Sequence, residues 1–235
     1  MARPSPSQVA ALALALPLAA CSTVDSADLR TSGIYAHIRV EARSADSEVA
    51  VSLSAGGLTS IELSEGDELA VAGGGAKETF DHHSLLGSHG YTAVLDGLTE
   101  PDEEVVVTLK RDDDPSTTSR VRLPEPIEAG GPRRASRRED LLIRVNDGPG
   151  TIRVSWEGGC VAPGGDEEYA EGEPVVVPSG ALRPYQAETG QLKPPKRCLV
   201  TFTVSRVRSG SLDDEFKGGS IEAVRSTSFA VRSVP

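Results

Sequence analysis

From Ile34 onward the chain alternates. Ile34, Ala36, Ile38, Val40 and Ala42 fall on one side of an extended segment, and Tyr35, His37, Arg39, Glu41 and Arg43 on the other. A two-residue period marks a strand buried on one face. The pattern returns at Val49, Val51 and Leu53 after the turn-like Ser44–Ser47, then stops at Gly56-Gly57. Short strands are predicted around Ile61–Leu63, Leu69–Val71, Tyr91–Leu95, Val105–Leu109 and Arg120–Leu123. After residue 21 no segment holds a 3.6-residue apolar period for three turns, which argues against helix bundles and α/β folds.

Pro124 to Asp140 breaks the alternation with three prolines, Gly130-Gly131 and the pairs Arg133-Arg134 and Arg137-Arg138. This is the composition of a linker. Strand signals resume at Leu141, Ile143 and Val145. They turn at Asp147-Gly148-Pro149-Gly150 and return at Ile152, Val154 and Trp156, a predicted hairpin. Leu199–Val207, Ser220–Val224 and Ser228–Val231 follow as separate strands. The triplet Ile-Arg-Val occurs at 38–40, 143–145 and 152–154, and each half opens with a hairpin ending in Gly-Gly. Each half, at about 90–95 residues, has the size of an immunoglobulin-type sandwich and resembles one in architecture. The order Cys, Trp, Cys typical of that family is absent, because Trp156 precedes both later cysteines.

The fold expectation is therefore all-β: two immunoglobulin-like β-sandwich domains in tandem after a signal peptide and a flexible tether. The segments are 1–20 (signal), 21–33 (tether), 34–123 (first domain), 124–140 (basic Pro/Gly linker) and 141–235 (second domain). Composition adds one exclusion. With 24 Lys and Arg against 35 Asp and Glu, the net charge is −11. Nucleic-acid affinity rests largely on neutralised phosphates, so a nucleic-acid partner is not expected.

The N-terminus carries Arg3, an apolar run from Val9 to Ala20 interrupted by Pro17, and then Leu18-Ala19-Ala20-Cys21. The run is too short to span a bilayer, which takes about 20 residues, and has the size of a secretory signal. Its end resembles the lipobox of bacterial lipoproteins. The resemblance implies that Cys21 is acylated, becomes the first residue of the mature chain and joins the protein to a membrane through covalent lipid. Ser22 stands where an Asp would resemble a retention signal for the inner membrane, so the outer membrane is favoured. Residues 22–33 are polar and without period, and read as the tether.

Cys160 and Cys198 remain as an even pair, and a compartment outside the cytoplasm permits a disulfide between them. If the strands ending at Cys160 and beginning at Cys198 are antiparallel neighbours, the bond pins the base of the excursion 161–197. A loop of that length is either functional or has structure of its own. Tyr169, Arg183 and Tyr185 are the residue types enriched at recognition hot spots and are the candidate partner-binding residues. The competing reading is an extra hairpin through Val175–Val177 that completes the sandwich.

Asp81, His82, His83 and His89 form the one metal-ligand candidate, since imidazole and carboxylate suit zinc or copper. His82 and His83 are adjacent and would point to opposite faces of a strand. The acidic runs 102–104 and 112–114 lack the spacing of a calcium loop and fit solvated strand ends. Nucleophile-elbow, Walker and dinucleotide motifs are absent,. These observations give a lipid-anchored cell-envelope protein that binds or spaces without catalysis or cofactor, with an envelope protein or glycan as partner. The alternatives are a structural component of an envelope assembly, and a metal-binding or hydrolytic protein centred on residues 81–89.

Overall fold

The computed structural model describes residues 23–57, 59–85, 87–184 and 197–235. The signal segment, Cys21 and Tyr185 lie outside the described residues. Apart from two short 3-10 turns, the described secondary structure is β. The strand Tyr35–Ala42 buries Ala36, Ile38, Val40 and Ala42 and exposes His37 and Arg39, as the alternation requires.

Three sheets build the molecule. A long sheet of eleven strands runs its whole length, in the order Thr23–Asp25, Thr59–Glu62, Asp46–Gly56, Tyr35–Ala42, Gly218–Val234, Cys198–Ser209, Thr151–Gly158 and Val161–Tyr169. Ser88–Asp96 pairs beside Asp46–Gly56 and carries Asp81–Leu85 on its other edge. A four-stranded sheet, Thr117–Arg122, Glu104–Lys110, Glu68–Gly73 and Ala76–Thr79, covers one end of the long sheet. A three-stranded sheet, Ala129–Gly130, Leu141–Val145 and Val175–Val177, covers the other. Each cover encloses its own core. The first holds Ile38, Val49, Leu53, Val71, Val107 and Leu109. The second holds Ile143, Val154, Trp156, Val177, Phe202 and Val204. The all-β, sandwich-type expectation holds for both lobes.

The lobes are not divided in sequence as expected. Gly218–Val234 is one continuous strand rather than two. It pairs antiparallel with Cys198–Ser209 along its length, and its first part pairs in parallel with Tyr35–Ala42. Ile221 and Ala223 therefore belong to the first core, together with Phe216, while Val231 belongs to the second. The first sandwich is completed by residues from the far end of the chain. At the joint, Glu222 accepts from Arg39 at 2.6 Å and from Arg153 at 2.9 Å, so two arginines of the repeated Ile-Arg-Val triplets meet on one carboxylate. Arg225 donates to the carbonyl of Thr99, and Arg208 to Asp102.

Residues 23–33 are not a free tether. Thr23–Asp25 pairs in parallel with Ser60–Glu62. Ser26 and Thr31 are buried. The guanidinium of Arg111 lies beneath them, donating to the carbonyls of Ser26 at 2.6 Å and Leu29 at 3.0 Å, with its Nε 2.7 Å from the Asp67 carboxylate. Polar residues hold this segment through hydrogen bonds, so it lacks the apolar period that would have marked it.

The basic linker also packs. Ile127 and Ala135 enter the second core, and Arg134–Ser136 pairs in parallel with the C-terminal strand. The predicted hairpin at Asp147–Gly150 is a corner between sheets, because Leu141–Val145 pairs with Val175–Val177 while Thr151–Gly158 joins the long sheet. Inside the corner lies Arg206, almost fully buried, which donates to the carbonyls of Pro126 and Asn146. The corner wraps this guanidinium so closely that a Cβ on Gly148 would lie 2.6 Å from its Nη1.

Candidate functional site

The disulfide forms as expected. Cys160 and Cys198 are bonded, with Cα atoms 5.6 Å apart, across the antiparallel neighbours Thr151–Gly158 and Cys198–Ser209. Arg137 donates to Ser233 Oγ at 2.9 Å, and its Nη2 lies 2.9 Å from Cys160 Sγ.

Much of the excursion above the disulfide is sandwich framework. Val161–Tyr169 pairs with Thr151–Gly158, and Val175–Val177 with Leu141–Ile143. Tyr169 packs on the second core. Its hydroxyl lies 2.6 Å from the Glu167 carboxylate and 2.7 Å from the carbonyl of Val176. Burial, then Glu167, pushes its pKa upward, so it stays a neutral donor holding two strands together. Tyr169 thus serves the fold rather than an open contact surface. Arg183 has an exposed side chain on a backbone fixed by the Ala162 N–H donating to its carbonyl at 2.9 Å.

The histidines separate as strand alternation demands. In the hairpin Asp81–Leu85/Ser88–Asp96, His82 faces Tyr91, Ser84 faces His89 and Asp81 faces Thr92. His82, His89 and Tyr91 stack on one side. His82 lies 5.1 Å from each of the other two rings, with interplanar angles of 9° to His89 and 20° to Tyr91. His82 Nε2 and His89 Nδ1 are 2.9 Å apart. His83 pairs instead with Thr92 Oγ1 at 2.7 Å, and Asp81 shares that other side. Of the four predicted ligands, the structure brings together His82 and His89 and excludes Asp81 and His83.

The carboxylate that joins them is Glu62. Its oxygen, His82 and His89 offer ligand atoms that all lie within 4.8 Å of one another. Glu62 ends the strand Thr59–Glu62, opposite Asp25. Its neighbour Ser60 accepts the backbone N–H of His89 at 2.8 Å. Tyr91 floors the cluster, donating to the carbonyl of Ile61 at 3.2 Å and accepting the N–H of Leu63 at 2.9 Å. Burial raises the Tyr91 pKa, opposed by the Leu63 N–H and reinforced by the charges of Glu62 and Asp25. Glu62 is 20 residues from His82 in sequence, and only the pairing of three separate strands reveals it.

No protein-family model matches the chain, and no curated protein matches it in sequence. Solved structures give loose superpositions. The crystal structure of DIP-gamma IG1+IG2 is 11% identical over 84% of this chain and 94% of that one, with a TM-score of 0.25. Dpr11 IG1 bound to DIP-gamma IG+IG2 is 11% identical over 84% and 95%, at 0.23. The FN1-FN3 domains of chicken CNTN1 are 16% identical over 84% and 65%, at 0.17. Superpositions this loose carry nothing about function to this chain.

Proposed function

We propose that this chain is a lipid-anchored module of the cell envelope, of the outer membrane rather than the inner, that binds or spaces without catalysis. The observation that carries the reading is the position of Thr23, already part of the long sheet two residues after Cys21. Two residues reach at most about 7 Å, so an acyl anchor on Cys21 holds the first lobe directly at the bilayer surface. The Cys160–Cys198 disulfide supports a compartment outside the cytoplasm,. The ion pairs of Arg39 and Arg153 on Glu222 suit a part whose two lobes share one sheet.

We place the contact surface on the stapled excursion at Arg183, whose side chain is exposed, and at Tyr185 as the sequence suggests, with an envelope protein or glycan as partner. The test compares the native chain with Cys21→Ser and with Arg183→Ala/Tyr185→Ala, by membrane fractionation and crosslinking in intact envelopes. Release of Cys21→Ser alone on fractionation, with capture by the lipidated chain lost in the double variant, is the expected result. Equal partitioning of native and Cys21→Ser protein overturns the anchor. Capture that is indifferent to the double variant overturns the contact surface.

A further inference from the structure

One placement of the His89 proton satisfies every hydrogen bond around the ring. Thr23 Oγ1 donates its single proton to the carbonyl of Gly87, at 3.2 Å. The same oxygen lies 3.3 Å from His89 Nε2, and both contacts are satisfied together when the imidazole is the donor in the second. In its neutral form His89 then carries its proton on Nε2, and its Nδ1 presents a lone pair. That lone pair faces His82 Nε2 at 2.9 Å, so His82 donates Nε2–H to it. A ligand nitrogen with its other ring nitrogen held by an outer acceptor is the arrangement that orients metal-binding histidines.

The spacing of the two imidazole nitrogens is close to that on a tetrahedral ion,. At metal–nitrogen distances of about 2.0–2.1 Å, two nitrogens on one ion lie roughly 3.3 Å apart. The imidazole pair needs to open by only about 0.4 Å, and the exposed side chain of His82 is free to move outward. The Glu62 carboxylate, also exposed, completes three ligands. His89 is the buried and immobile member, 8% exposed.

From these observations we infer that Glu62, His82 and His89 form a binding site for a divalent cation of the zinc class, with Thr23 as the residue that positions His89 and a fourth position open to water. Two imidazoles and one carboxylate suit zinc and copper, and are poor ligands for magnesium or calcium, which take oxygen. On binding, the Nε2 proton of His82 passes to solvent and its Nδ1 takes one up. The ring remains neutral and the ion occupies the place of the His82–His89 hydrogen bond. The bound ion ties the strand Thr59–Glu62 to the hairpin Asp81–Asp96, at the outer edge of the long sheet.

The test uses the Cys21→Ser chain, purified without an affinity tag so that neither a free thiol nor added histidines bind the metal. Calorimetric titration with zinc chloride should give one ion per chain. His82→Ala and Glu62→Gln should each weaken binding at least tenfold, and Thr23→Val about tenfold, within the range typical of lost outer-shell partners. His83→Ala and Asp81→Asn should leave it unchanged, and magnesium should not compete. Zinc should also raise the melting temperature of the parent chain but not of His82→Ala, a readout that holds even if variants differ in basal stability. The absence of saturable one-to-one binding overturns the site. So does affinity unchanged in His82→Ala, or lost equally in His83→Ala.

Discussion

The first lobe fills its core with aliphatic side chains such as Ile38, Val49, Leu53 and Leu109. Among the described residues it has no cross-link, and its long-sheet layer closes only when Gly218–Val224 pairs with Tyr35–Glu41. The second lobe is built around the rings of Trp156, Phe202 and Phe229, with Phe202 and Phe229 stacked at 5.6 Å, and is locked by Cys160–Cys198. Both lobes show the same two-residue alternation in sequence. They differ in what holds the sandwich shut: a strand brought from far along the chain in one, a covalent bond in the other. Sandwiches this small bury modest cores, and each lobe adds a separate device to its apolar burial.

The largest effect is expected at Arg111. Replacing it with Ala leaves the Asp67 carboxylate buried and unpaired and removes the donors beneath Ser26 and Leu29. A loss of about 3–5 kcal/mol is expected, confined to the first lobe, with residues 23–33 exchanging amide hydrogens early. Uniform destabilisation of both lobes would show that they unfold as one unit. Next comes the Cys160→Ala/Cys198→Ala pair. Opening the 38-residue separation should cost about 4 kcal/mol in the chain-entropy account. Chemical denaturation followed by Trp156 fluorescence reads this in the second lobe.

A smaller effect is expected at the joint. Gly219 has φ +125°, and a Cβ there would lie 1.9 Å from the carbonyl oxygen of Ala36. Gly219→Ala should cost about 1–3 kcal/mol in backbone strain and loosen the parallel pairing. The check is faster amide exchange in Tyr35–Ala42, with Thr151–Gly158 unchanged. The smallest effect comes from acid. Hydrogen bonds from the Thr31 hydroxyl and backbone N–H hold the Asp114 carboxyl below its ordinary 3.8. Its contribution is complete above that value and fades as pH falls through the lowered one. Melting temperature should therefore drop below about pH 4, with less of a drop in Asp114→Asn.

Much of the local structure was legible from alternation alone, because a strand buried on one face must repeat every two residues. The disulfide was legible too, from an even cysteine count and two strand ends. Strand partnership was not. Nothing local marks Gly218–Val224 as a neighbour of Tyr35–Glu41, since parallel pairing joins residues about 180 positions apart that share only apolar alternation,. The same limit hid Glu62, which reaches His82 only through register across separate strands. The polar segment 23–33 read as a tether because Arg111, Asp67 and Asp114 hold it, and its two core-packing apolar residues, Val24 and Leu29, are too far apart to set a period.

The C-terminal strand also sets a schedule. Residues 34–123 emerge first during synthesis, yet the edge at Tyr35–Ala42 has no partner until residues 218–224 arrive. The roughly 100 residues between residue 123 and that strand leave the edge open until the last strand docks,. An unpaired strand edge is a template for wrong pairing. The nascent first lobe is therefore the stage of this protein's life at which a holding chaperone has the most to protect, and the arrival of the last strand ends that exposure.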